Sequence, residues 1–274
     1  MPFEINDTTL RLFIFLSVFL AMSLLELCIP KRKLKSAKAK RWTTNIMIAG
    51  IDSFCVRLMG LVALPLVAIT AAEFAQTQSW GIFHITNWPY WLEFILTLIV
   101  LDCAIYIQHV ASHKIPILWR LHKMHHSDTD IDVSTAVRFH PIEIMLSMLY
   151  KVIVVFILGP AVLAVFVFEV ILNACAMFNH ANITIPSKIE KALRLFVVTP
   201  DMHRVHHSAQ QRETDSNFGF NLSLWDHLFS TYTAEPKLGH QGMTIGLNAH
   251  QSKAPSQLLW SLLLPFAQGK NEKL

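Results

Sequence analysis

The chain carries 14 histidines in 274 residues, and their spacing is the first feature that could do chemistry. Three clusters stand out: His109 with His113, His122 with His125 and His126, and His203 with His206 and His207. Residues three and four apart share one face of a helix, so each cluster can aim two or three imidazoles at a single point. Imidazole suits iron, zinc, copper and nickel, and one ion rarely takes more than about six ligands. Eight clustered histidines therefore suggest two metals. His140 and His180 are singletons that could close a coordination sphere from another direction. A lone HxxxH is weak, because two histidines at that spacing are often surface residues, whereas HxxHH occurring twice is specific. His84, His227, His240 and His250 are isolated and are left out.

The elements that must position these side chains are membrane elements. The composition is 53% hydrophobic and only 15% charged, with a mean hydropathy of +0.41, too apolar for an ordinary soluble domain. The formal charge is +4, much of it in the run Lys31 to Arg41 rather than along an extended face, so nucleic acid is not an expected partner. Cys28, Cys55, Cys103 and Cys175 lack CxxC spacing and read as apolar packing residues.

Leu10 to Ile29 is long enough to cross a bilayer and reads as an anchor. The basic run after it places that end on the cytoplasmic side. Asn45 to Ala72 is a second apolar stretch, in which Asp52 and Arg57 are expected to face protein or water as an ion pair. Gln76 to Tyr90 reads as an external interfacial loop, and Trp91 to Ile107 returns to the cytoplasm. Ile144 to Phe178 would be about 50 Å long as one helix against a hydrocarbon core of about 30 Å. Gly159-Pro160 breaks it into a helical hairpin that enters and leaves on one face, each half about 20 Å long. The expected architecture is all-α: an integral membrane helical bundle of about four membrane elements, with the amino terminus outside and a cytoplasmic histidine-rich helical cap. The expected divisions are a membrane-anchor region over 1–94, a catalytic domain over 95–235 and a tail over 236–274.

The text around the histidines resembles the fatty acid hydroxylase/sterol desaturase superfamily. The matching segments are DCAIYIQHVASH from Asp102 to His113, LHKMHH from Leu121 to His126, RFHPIE from Arg138 to Glu143, FNHAN from Phe178 to Asn182, and MHRVHH from Met202 to His207. NFGFN from Asn217 and LWDHLF from Leu224 resemble the family's closing motif. The resemblance implies a non-haem di-iron oxygenase that hydroxylates or desaturates a lipid chain or sterol, with O2 as co-substrate. It carries over His109, His113, His122, His125, His126, His180, His203, His206 and His207 as ligands, with His140 as a further candidate. Val110 stands where the family commonly has arginine, and Phe218 where it frequently has tyrosine.

No protein side chain attacks an unactivated C–H bond, so a redox metal has to bind O2. Each ligating imidazole needs an acceptor at its other N–H to fix tautomer and orientation. Asp102, Asp201 and Asp226 are the candidates from sequence proximity, and Glu143 could serve His140. The lipid is expected to arrive from the bilayer, between the third span and the hairpin. The sequence has no flavin or nicotinamide fingerprint and no haem or iron–sulfur cysteine pattern. Electrons must then come from a separate partner, which the resemblance implies is a cytochrome b5-like protein or ferredoxin fed by NAD(P)H. Zinc could replace iron in a purified sample, because affinity favours it at nitrogen sites. Two other readings remain open on the residues alone: a desaturase on the same metal site, and a non-catalytic membrane metal-binding or transport protein.

Overall fold

The computed structural model describes residues 7–62, 66–86 and 88–267. Two long helices open the chain, α1 (Asp7–Cys28) and α2 (Lys38–Val62), followed by the short α3 (Ala68–Thr77) and α4 (Ile82–Thr86). Next come α5 (Tyr90–Lys114), α6 (Pro116–His126), α7 (Pro141–Leu158) and α8 (Val162–His180). The remainder is a set of short pieces: α9 (Ser187–Leu193), α10 (Pro200–His206), α11 (Gln211–Thr214), α12 (Leu224–Leu228), α13 (Gly239–Gly242) and α14 (Leu258–Leu263).

Five of these helices, α1, α2, α5, α7 and α8, are long and apolar enough to cross a membrane. The expected count of about four elements took α7 and α8 together as one. They form the hairpin broken at Gly159-Pro160, but each half is longer than expected, with 18 and 19 residues, about 27 Å at the helical rise. Gly159 makes the apex possible. Its φ of 66° caps α7 in the left-handed region, and a side chain there would meet the Trp80 carbonyl, so only glycine fits without strain. The apex thus packs against the connection between α3 and α5.

The stretch expected as one second element is divided into α2 and α3, with residues 63–65 outside the described residues. Ala68, Ala71, Ala72 and Ala75 of α3 are fully buried. Small residues at this spacing let helices approach closely, which is how apolar helices associate where lipid is as apolar as leucine. Here they let Leu101 of α5, Val155 of α7 and Phe168 of α8 close into one core. Asp52 and Arg57 form no ion pair among the described residues.

The basic run is not a free solvated stretch. Lys31 pairs with Asp201 at 2.7 Å, Arg32 donates to the carbonyls of His240 and Met243, and Arg41 is 1% exposed. The Arg41 guanidinium binds Asp128 at 2.6 Å and Asp132 at 2.8 Å. It thereby fastens the start of α2 to the segment after α6. That network holds Asp128 down to about 2: burial would raise its pKa, but the Arg41 guanidinium outweighs burial.

Candidate metal centre

Prolines begin the two helices that carry the HxxHH motifs, and the helix that carries Glu143. Pro116, Pro141 and Pro200 occupy the first turns of α6, α7 and α10, where a missing N–H costs nothing and φ is already helical. Thr199 caps α10 by accepting from the Met202 amide. The ends of α5 and α8 and the whole of α6 and α10 then converge.

Nine buried histidines meet in two groups. His109, His113, His122, His126 and His206 form one, and His125, His180, His203 and His207 the other; within each group one nitrogen per ring lies within 4.8 Å of all the rest. The division follows helix geometry. On α6, His122 and His126 lie one turn apart and face the first group, while His125 faces the second; on α10 the sharing is reversed, with His203 and His207 in the second group and His206 in the first. Each HxxHH motif therefore supplies both groups.

Tautomers are set from behind. His109 Nδ1–H donates to the Phe218 carbonyl at 2.8 Å, and His206 Nδ1–H to the Ser216 carbonyl at 2.8 Å. His122 Nδ1 is bonded to the Glu143 carboxylate at 2.6 Å. Their Nε2 atoms, with those of His113 and His126, are buried and have no hydrogen-bond partner. In the second group His125 donates to the Arg138 carbonyl at 3.1 Å and His180 to the Ala176 carbonyl at 2.7 Å. Their Nε2 lone pairs consequently face each other, 3.2 Å apart. His203 Nε2 lies 3.0 Å from His180 Nε2 and 3.2 Å from His207 Nε2. Orphaned buried nitrogens and opposed lone pairs cost free energy unless a cation lies among them, so the donor set fits metal ions.

The charge state agrees. Burial, reinforced by neighbouring histidines, holds His125, His126, His203 and His207 well below the ordinary imidazole range. Burial also pushes His206 down to about 3. Neutral imidazole is the form that binds a metal.

His140 is not among the nine. It caps α7, its Nδ1 accepting from the Ile142 amide and its Nε2 bonded to the Leu262 carbonyl. Glu143 serves His122, not His140. The three aspartates expected behind the histidines do other work. Asp102 accepts from Trp225 Nε1 at 2.8 Å. Asp201 binds Lys31 and Arg204. Asp226 accepts from the amides of Phe218 and Gly219 at 2.7 and 2.8 Å, and so steadies the loop whose carbonyl receives His109. The residues that hold the imidazoles are mostly backbone carbonyls, which leave no mark in residue type. Phe218 packs its ring against His113, centroids 5.1 Å apart, and Val110 packs against the cluster of Tyr106, Phe218 and Trp225.

A cavity of about 260 Å³ opens between α5, α6 and α7. Ile107, Ala111, Leu118, Leu121, Leu146 and Tyr150 line it, and Glu143 forms the wall shared with His122.

The fold and site define a membrane-helix protein with a buried polyhistidine centre. The fatty acid hydroxylase family model matches residues 94–231, and the chain belongs to that family. It is similar to an ornithine lipid hydroxylase of Rhizobium tropici, 29% identical over 212 residues, covering 77% of this chain and 61% of the relative. It is also similar to an alkylglycerol monooxygenase of Xenopus tropicalis, 28% identical over 196 residues, covering 69% and 42%. The Homo sapiens alkylglycerol monooxygenase is 29% identical over 176 residues, covering 63% and 38%. The chain thus spans roughly two-fifths to three-fifths of the length of these curated relatives. No solved structure matches it.

Proposed function

We propose that the chain is a membrane-bound, O2-dependent lipid hydroxylase whose nine histidines hold two iron ions. The observation that carries this reading is the set of five buried, unpartnered Nε2 atoms beside a second group whose lone pairs oppose one another. His109, His113, His122, His126 and His206 would hold one ion, and His125, His180, His203 and His207 the other. Bound iron would supply reduction of O2 to an oxidant able to attack an unactivated C–H bond. Overall, one C–H bond, O2, two electrons and two protons give an alcohol and water.

The chain's own residues do the rest. Glu143, Phe218, Ser216, Arg138 and Ala176 fix the imidazoles in the ligating tautomer. The cavity between α5 and α7 admits an apolar chain from the bilayer and ends at the Glu143–His122 pair. Phe218 and Trp119 sheath the centre and exclude water from it. The curated relatives bear the names of a hydroxylase and monooxygenases, which favours hydroxylation over desaturation. The histidine end faces the cytoplasm, and the catalytic unit covers residues 95–235, after an anchor region over 1–94. The tail over 236–274 supports it through α14, and residues 268–274 lie outside the described residues.

The test is metal content together with O2-dependent lipid oxidation, in membranes from iron-fed cells, comparing wild type with His125→Ala and His206→Ala. About two irons per chain and a hydroxylated lipid lost in both variants support the reading. Metal without any O2-dependent product, electrons being supplied, would sink it in favour of a carrier.

A further inference from the structure

The hydroxylation proposed above consumes two electrons in each turnover, which must be resupplied to the centre from outside it, so the surface needs a place where they arrive. Trp119 is the aromatic ring that joins the surface to the first histidine group. Its centroid lies 4.9 Å from that of His113 and 5.5 Å from that of His126, and it is itself part-exposed. Leu121, two residues on along α6, lines the cavity; two residues turn a helix by about 200°, so Trp119 faces away from the cavity. Lipid and electrons would reach opposite flanks of the same helix.

The segments that meet at His113, beside this ring, carry an excess of exposed basic side chains. His113 also lies 3.7 Å from Asp215, whose charge is matched by Lys114 at 2.9 Å. Arg212 stands in the same short helix that ends beside Asp215, and Lys237 donates its amide to Glu213 of that helix. Lys114, Arg212, Lys237 and, next to Trp119, Arg120 are exposed. A surface of this sign steers a negatively charged partner and disfavours a positive one.

We propose that the Trp119 face is the docking surface for an acidic one-electron carrier protein, and that electrons cross the Trp119 ring to the five-histidine group. This rests on the oxygenase reading. Each encounter oxidises the carrier by one electron and reduces the centre by one, with no bond made or broken, so two encounters serve one turnover. Redox encounters of this kind use small, polar, salt-sensitive interfaces.

The test is stopped-flow oxidation of two reduced acidic probes, a plant-type ferredoxin and the soluble haem domain of cytochrome b5. They are mixed with the iron-loaded full chain in nanodiscs, with dithionite as a small-molecule reductant. With Lys114→Gln/Arg212→Glu, the second-order rate for at least one probe falls on the order of tenfold or more at low salt and loses its salt dependence. Trp119→Leu slows electron arrival at saturating probe. Iron content and dithionite-driven product stay at wild-type level in Lys114→Gln/Arg212→Glu, so its slower carrier oxidation is a loss of docking and not of the centre. If the variants take electrons from both carriers at wild-type rates, or wild type accepts them from dithionite but from neither carrier, the docking proposal is overturned. If wild type makes no product even with dithionite, the oxygenase reading falls and this proposal with it.

Discussion

His125 and His180 face each other through Nε2 atoms 3.2 Å apart, although each already donates its Nδ1 proton to a backbone carbonyl. No hydrogen remains to bridge them. A cation held by both would relieve the repulsion, so this pair alone fits the four-histidine group to a metal ion.

The pair predicts selective loss of one ion. His180→Ala should lower metal content from about two per chain to about one, leaving the five-histidine group filled, while His113→Ala should weaken the other ion. Metal analysis per chain, read with the spectroscopic signature of coupled ions, checks this. Equal and complete loss of both ions in His180→Ala would refute two separable groups.

Glu143 accepts the Nδ1 proton of His122 and orients that ring from behind. Partners in this position typically change metal affinity by about 10- to 100-fold. Glu143→Gln keeps an acceptor for the Nδ1 proton and should lose less than Glu143→Leu. A chelator competition series across the three proteins gives the order directly.

Leu146→Trp fills the cavity between α5 and α7 without touching a histidine. Product formation from a long-chain lipid should fall at least tenfold, while iron content and thermal unfolding stay close to wild type. Unchanged turnover in this variant would mean that the lipid reaches the centre by another route.

Acid should release the metal-free fold. His125, His126, His203, His206 and His207 have pKa values below the ordinary range near 6.5, so below about pH 6.5 the unfolded chain binds more protons than the native one. Stability therefore falls as pH drops from 6.5, by on the order of 1 kcal/mol per pH unit for each histidine. Thermal unfolding of the chelated protein at pH 7.5, 6.5 and 5.5 should show little change over the first step and a marked drop over the second. Iron should oppose the drop, because it binds the neutral form.

The histidine spacing was legible because helical period and ligand geometry coincide; it singles out eight of the nine side chains that the structure brings together, and the ninth, His180, came with the family resemblance. The hairpin was legible from Gly159-Pro160. The supports behind the imidazoles were not. Asp102, Asp201 and Asp226 look right by proximity, yet carboxylates close in sequence are engaged by Trp225, Arg204 and the Phe218 loop. Four of the five acceptors, at Phe218, Ser216, Arg138 and Ala176, are backbone carbonyls, which any residue type provides, and only Glu143 is a side chain. The partners of the basic run were hidden in the same way: its charge is visible, but the burial of Arg41 depends on Asp128 and Asp132, about 90 positions later. The division of α2 from α3 escaped because alanines contribute apolar character without marking a boundary.

Arg138, whose carbonyl receives His125, is itself held by Ser261, 123 positions farther along the chain, at 2.8 Å. Its other partners include Asn45 and the Met124 carbonyl. A ribosome delivers these in the order 45, 124, 138, 261. All nine histidines precede Ser261 in the chain, so the support behind His125 is completed only after every histidine has been made. The four-histidine group is therefore braced last, by α14, and a chain halted before Ser261 would carry every histidine without that brace.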